Sequence, residues 1–350
     1  MLIRVWFGYV VYQMPGENRR VDDHRGYIFI TAGDQETASQ VADAAYRGWM
    51  NGPHGRTPRQ GNLWVRGPDS TMKATGKLLE NPAALQRHVR LVLQTNHNAH
   101  PVWSGEIGSG NGLSVVLFLL SASRCSPGCS PEPCLILNKR SVRVPQPGDL
   151  CCPGGGIEPR FDRFAAHLLR LPLSPLRQWP HYRTWQAETP RRAARLRLLM
   201  AAALREGVEE MRLNPLGVRF LGGLPPEHLV MFKRTIVPLV AWVARQQHFR
   251  PNWEVERIVR IPLRTLLVPD GYMALHLRME GGNAEGRETK ASEFPAFRFR
   301  SLNGTEVLWG ATYRITMNFM EQVFGFQPPE HANGTAIEKR LTAEYLTGKG

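Results

Sequence analysis

Acidic residues are the scarce class in this chain: 30 Asp and Glu stand against 44 Lys and Arg over 350 residues, a formal charge of +14. The deficit points to an anionic partner, whether nucleic acid, an anionic membrane surface or a phosphate-rich ligand, and charge alone does not choose among them. Cysteine is scarce as well. Cys125, Cys129, Cys134, Cys151 and Cys152 make an odd count confined to one region, which argues against a disulfide framework and for free thiols. Cys125-x3-Cys129-x4-Cys134 has no fourth ligand at metal spacing, so its Ser-Pro-Gly-Cys-Ser-Pro surroundings read as a turn between strands before they read as zinc. Long apolar runs are missing: residues 113–120 fall far short of the roughly 20 a membrane-spanning helix needs. Residues 1–12 are aromatic and β-branched, without a basic lead-in or a small-residue cleavage site, and read as a strand. The expectation is a cytoplasmic protein with no membrane span. No repeat of fixed period excludes anything further, and oligomeric state has no signature in the sequence.

What is present is globular material, 42% hydrophobic and 21% charged. At this length one domain with additions or two domains are expected. Residues 1–75 read as an α+β extension: strands over 2–12 and 27–31, a helix over 35–49 capped by Asp34, then a Gly/Pro/Arg-rich loop over 51–69. Residues 76–110 hold a second helix, with Asn81 as N-cap, Pro82 at its first position and Leu85, Val89, Val92 and Leu93 on one face. His97 and His100 follow as loop residues without partners at ligand spacing. A third region, 111–328, opens with a hairpin over 113–121 and 134–139, and carries a long helix over 196–213 and strands over 218–221, 235–244 and 258–261. An amphipathic helix over 306–324 closes it, and residues 329–350 read as a polar, frayed tail.

Two elements in that region carry chemistry. Pro153-Gly154-Gly155-Gly156 lets backbone approach a ligand closely, with Glu158 just beyond. In Arg205-Glu206-Gly207-Val208-Glu209-Glu210, the i+3 and i+4 spacing puts Glu206, Glu209 and Glu210 on one helical face. Such carboxylates repel one another unless they are solvated beside arginine or share a divalent cation, and Mg²⁺ or Mn²⁺ takes oxygen ligands of this kind together with substrate phosphates.

Taken together, the glycine loop and the Arg-Glu-x-x-Glu-Glu helix resemble the Nudix box. Three flanking stretches resemble the coenzyme A diphosphatase-like subgroup of that family: residues 135–155, the segment Asn252-Trp-Glu-Val-Glu with Pro262-Leu263, and Leu308-Trp-Gly-Ala-Thr-Tyr313. The resemblance covers roughly residues 112–326. It implies an α+β fold, a Nudix-type α/β/α sandwich with a mixed sheet. It also implies metal-dependent hydrolysis of a diphosphate bond in a nucleoside diphosphate-linked small molecule such as coenzyme A or a derivative. Glu206, Glu209 and Glu210 would be metal ligands, with the carbonyl of Gly155 completing the set. Glu206 and Glu209, with Arg205 orienting them, would carry the chemistry. Arg140, Arg143, Gly154, Gly156 and Glu158 would face substrate, and Glu254 and Glu256 are weaker candidates that a strand end would explain equally.

The chain departs from the family pattern in particular places. Gly155 and Arg205 are 50 positions apart, which implies an insertion over about 161–195. Gly207 stands where an aliphatic residue is usual, Arg212 where a glycine is, and Cys152 where a Phe is. Between residues 160 and 197 nine arginines face two acids, a local charge of +7, with Trp179, Tyr182 and Trp185 among them. Arginine forks suit phosphate and aromatic faces suit a base, so the insertion reads either as a wall over the nucleotide or as a helical excursion whose aromatics pack on the domain. Beside the hydrolase stands a second reading: a non-catalytic nucleic-acid-binding protein on an altered Nudix scaffold.

Overall fold

The computed structural model describes residues 2–6, 9–13, 28–31, 76–96, 112–123, 131–229, 234–279, 292–301, 304–329, 337–341 and 345. The chain divides into two compact units, Met1–Gly67 and Pro68–Gly350. In the first, β1 (Leu2–Trp6), β2 (Tyr9–Gln13) and β3 (Ile28–Thr31) form an antiparallel sheet in the order β2-β1-β3. The helix expected over 35–49, the loop over 51–69, and His97, His100, Cys125 and Cys129 lie outside the described residues.

The second unit is built on a mixed sheet. Its spine runs β11 (Val255–Pro262), β5 (Glu132–Arg140), β4 (Leu113–Ser123), β10 (Arg234–Val243) and β8 (Val218–Gly223), with β4 and β10 parallel and the other pairs antiparallel. Three short strands hang on it: β6 (Leu150–Cys151) on β5, β7 (Gly154–Gly156) on β4, and β9 (Glu227–Leu229) on β10. Successive side chains of a strand point to opposite faces, so apolar runs buried on both sides divide between two cores. Phe118 and Leu120 of β4 enter one core, and Val115, Leu117 and Leu119 the other.

Helices cover both faces, which makes the α/β/α sandwich. On the first face lie α1 (Pro82–Asn96) and α6 (Gly310–Phe324), through Leu85, Val89 and Leu93 of one and Phe319, Met320 and Val323 of the other. Asn81 caps α1 as its residue type predicts: Oδ1 accepts from the Ala83 and Ala84 N–H groups at 3.1 and 3.0 Å. The second face holds α2 (Pro159–Leu168), α3 (Pro180–Glu188) and α4 (Pro190–Met211), the last contributing Leu196, Leu199, Met200 and Ala201–Ala203. A four-stranded sheet, β14 (Gly304–Trp309), β13 (Ser292–Ser301), β12 (Tyr272–Met279) and β15 (Ile337–Leu341), is also present, with short α5 (Leu263–Leu266) after β11.

Two expectations are corrected. The helix read over 306–324 is a strand followed by a helix: Trp309 is extended and Gly310 turns the chain at φ 64°, a conformation glycine adopts without steric cost. The polar tail is in part a strand: β15 pairs in parallel with β12 because Ile337, Leu341 and Tyr345 have a small apolar core to enter.

Candidate active site

Helix α4 reaches the site because an Ala-rich face packs flat on the sheet, carrying its last turns to the glycine strand β7. At Gly207 the fit is closest. A Cβ there would lie 2.8 Å from Leu213 Cδ2 and 3.4 Å from Leu117 Cδ1, so the glycine standing in the usual aliphatic position leaves room for the Leu213 side chain that folds back against the helix end. The glycine loop is equally tight. Gly154 pairs with Val116 at φ 154°, where a Cβ would fall 2.6 Å from Val116 Cα, and a Cβ on Gly155 would lie 2.7 Å from Glu206 Cδ. The Gly155 backbone therefore touches the Glu206 carboxylate.

Arg205 binds these parts together from a buried position. Its Nε donates to Asp162 Oδ1 at 3.0 Å, Nη1 to Glu206 Oε1 at 3.0 Å and Glu209 Oε2 at 3.3 Å, and Nη2 to the Gly156 carbonyl at 2.9 Å. A planar fork satisfies that many acceptors at once where an ammonium would not. Asp162, wholly buried on α2, is the member of this junction that the sequence reading passed over. One of only two acids amid nine arginines, it could have been found by asking what so rare a residue was paired with.

Glu210 lies deeper. Its Oε2 accepts from Asn138 Nδ2 at 2.8 Å and from the Gly154 N–H at 3.3 Å. Burial first, then the Glu206 charge, pushes its carboxyl up to about 8, with the Gly154 N–H opposing. Glu206 is shifted up too, by burial against the pull of Arg205. Glu210 also lines a small polar cavity of about 140 Å³ together with Arg140, Val144, Pro145, Cys151, Glu254 and Val255. Arg140 is steadied there by its Nε bond to the Pro145 carbonyl at 2.7 Å. Burial pushes the Cys151 thiol up to about 12.

The remaining expected residues fall elsewhere. Arg143 is exposed and does not line the cavity. Glu158 turns its side chain to solvent, and its N–H donates to Asp162 Oδ2 at 2.6 Å, so it contributes through its backbone. Glu256 is drawn off by Lys139 and Arg257, at 3.4 and 3.3 Å. Among the described residues no three Cys, His, Asp or Glu side chains stand close enough to hold an ion as they are placed: Glu206 and Glu209 rest on Arg205, and Glu210 rests on Asn138.

Of the two readings of the insertion, its aromatics follow the second, packing on the domain. Trp179, Tyr182 and Trp185 are buried in the second core, where Trp179 meets Trp185 and Phe220 edge-on at 5.1 and 5.2 Å and Tyr182 accepts from Arg197. Aromatics of this size gain more by leaving water than by waiting for a base. No described helix is long and apolar enough to cross a membrane.

No protein-family model matches the chain, and no curated protein matches it. Solved structures with a partial likeness include a Nudix hydrolase from Alicyclobacillus acidocaldarius, at 17% identity and TM-score 0.29 over 45% of this chain and 81% of that one. The Nudix hydrolase RenU from M. smegmatis aligns at 17% identity and TM-score 0.28 over 45% of this chain and 74% of its own. The Nudix domain of Shewanella oneidensis NrtR, complexed with ADP ribose, aligns at 16% and 0.27 over 50% of this chain and 84% of its own. With likenesses at that level, the chemistry has to be read from this chain's own residues: an acid-bearing helix tied by one buried arginine to a glycine strand, beside a cavity that an arginine and two glutamates share.

Proposed function

We propose that this chain is a metal-dependent hydrolase of a diphosphate bond in a nucleoside diphosphate-linked small molecule, coenzyme A or a derivative being the preferred substrate, cut to 3',5'-ADP and phosphopantetheine. The observation that carries the reading is the Arg205 junction, which sets the carboxylate helix and the glycine backbone edge to edge. The donor chemistry fits Mg²⁺ or Mn²⁺: Glu206, Glu209, Glu210 and the Gly155 carbonyl are hard oxygens, and a buried carboxyl raised like Glu210 is one that a cation would ionise. Closing on an ion requires side-chain turns at Glu206 or Glu209. When bound, the metal neutralises diphosphate charge and polarises the bond under attack. Arg140 holds phosphate oxygens at the cavity, Glu254 takes the proton of the attacking water, and Arg205 keeps the acids in place without touching substrate. The preference for coenzyme A rests on the sequence resemblance around residues 135–155, 252–263 and 308–313.

The nucleic-acid reading drew on the +14 charge and the altered box. Gly207 has a packing reason and the acids keep their helix, so the altered box no longer speaks for it.

A screen of coenzyme A, acyl-coenzyme A, dinucleotides and nucleoside triphosphates with Mg²⁺ and Mn²⁺, reading which phosphate is cut, tests the proposal. Glu209→Gln and Glu210→Gln are each expected to lower kcat by about 10²-fold or more. Full activity in both would sink it.

A further inference from the structure

The exposed face of α2 and the turn after it is unlike the rest of the surface. Of the ten large apolar residues exposed among the described ones, five fall within thirteen positions: Phe161 (54%), Phe164 (66%), Leu168 (51%), Leu171 (56%) and Leu173 (73%). Phe161, Phe164 and Leu168 recur at i, i+3 and i+7, so they line one stripe of the helix, while Asp162 and Ala166 on the other side face inward toward α4. The clustered exposed residues do not serve the core, which is filled beneath by Trp179, Tyr182 and Trp185. Exposed apolar side chains clustered in this way mark a surface suited to being covered.

The charges name what covers it. Arg160, Arg163 and Arg170 are exposed along the same stretch, and its one acid, Asp162, is buried against Arg205. A face with Phe and Leu at its centre, three exposed arginines along it and one exposed acid, Glu158 at the helix start, matches the layered chemistry of an anionic bilayer, with apolar side chains below the headgroups and guanidinium groups on the phosphates. Nucleic acid would satisfy the arginines and leave the three leucines in water, since an aliphatic side chain offers no stacking plane. A second copy across a two-fold would set arginine against arginine.

We propose that α2 and the turn following it form a docking surface for an anionic lipid membrane. The assignment stands apart from the hydrolase reading, because it concerns binding and needs no turnover.

Co-sedimentation of the full chain with vesicles tests it, comparing phosphatidylcholine alone with an equal mixture of phosphatidylcholine and phosphatidylserine. Partitioning is expected to be at least about tenfold stronger on the anionic vesicles and to fall as salt is raised. The double change Phe164→Glu with Leu173→Glu should abolish it while leaving the circular dichroism spectrum and unfolding midpoint in place. Replacing Arg160, Arg163 and Arg170 with Ser should remove the preference for phosphatidylserine. Equal partitioning on both vesicles, or none, overturns the proposal. So does self-association in sedimentation velocity, or RNA binding without vesicle binding, if the same glutamates abolish it.

Discussion

Four acceptors from three different elements meet on one guanidinium, and that arrangement decides how Arg205 can be changed. Asp162 is wholly buried and Arg205 nearly so, so their ion pair is sheltered from screening and neither partner can retreat to water. Removing the aspartate leaves a buried cation short of its best acceptor, a situation that costs about 3–5 kcal/mol. Asp162→Ala is therefore expected to lower stability by that order, measured by urea unfolding at constant m-value. It should also loosen Glu158, whose N–H loses its acceptor. Of the residues at this scale, the shared face of Glu206, Glu209 and Glu210 was legible from spacing, and Arg205 as their orienting partner from the resemblance to the Nudix box. Asp162 was not, because its partner lies 43 positions away and only folding joins them.

At the scale of elements, the segment dividing the glycine loop from the acid helix is made of two short helices and a long extension of the third. Pro159, Pro180 and Pro190 each stand at a helix start, where a missing N–H costs nothing. Helix α4 is thus 22 residues long and brings Arg205 in near its end. Its termination is strained: Arg212 sits at φ 54° and ψ 43°, left-handed space that a Cβ disfavours by roughly 1–2 kcal/mol. Its N–H donates to the Val208 carbonyl at 3.0 Å, the following Leu213 N–H donates to the Gly207 carbonyl at 3.1 Å, and Gln246 Nε2 donates to the Arg212 carbonyl at 2.9 Å, so surrounding bonds hold the residue there. The side chain is exposed. Arg212→Gly is expected to stabilise the protein by about 1 kcal/mol, net of the added freedom of the unfolded chain, read as a rise in the thermal midpoint. The loss of that side chain should leave hydrolysis unchanged. That Arg212 occupies the usual glycine position was visible in the sequence. That it still takes the glycine's conformation was not, since propensity says nothing of what neighbours enforce.

Across the second unit, one carboxylate joins the far end of the chain to the cavity. Asp149 accepts from Trp309 Nε1 at 3.0 Å, pairs with Lys339, and accepts from the Tyr345 hydroxyl. The Gln146 N–H donates to the Tyr345 carbonyl at 2.7 Å, and Lys339 lies over the rings of Trp309 and Tyr345 at 5.0 and 4.8 Å. Asp149 closes the loop that begins at Arg140, its carbonyl accepting the Arg140 N–H at 2.9 Å. The tail thereby braces the loop that supplies Arg140, Val144 and Pro145 to the cavity. Tyr345→Phe removes one bond to a charged acceptor, worth about 1.5–3 kcal/mol locally. It is expected to raise KM several-fold with kcat little changed, since the bond holds a binding loop and touches no reacting atom. An equal fall in kcat, with KM unchanged, would place Tyr345 in the chemistry instead.

What the sequence determined by itself is local and periodic: the capped start of α1 at Asn81, the strand-like runs over 113–121 and 134–139, and three acids on one side of a helix. Each follows from spacing within a few residues, which chain geometry alone converts into a shared face. Tertiary structure decided what depends on distant partners competing for the same groups. It took Trp179, Tyr182 and Trp185 into the core, paired a polar tail as a strand because an apolar floor lay beneath it, and chose Asp162 for Arg205. It also buried Arg197 against Tyr182 while leaving Arg160, Arg163 and Arg170 exposed along the apolar side chains of α2 and the turn after it.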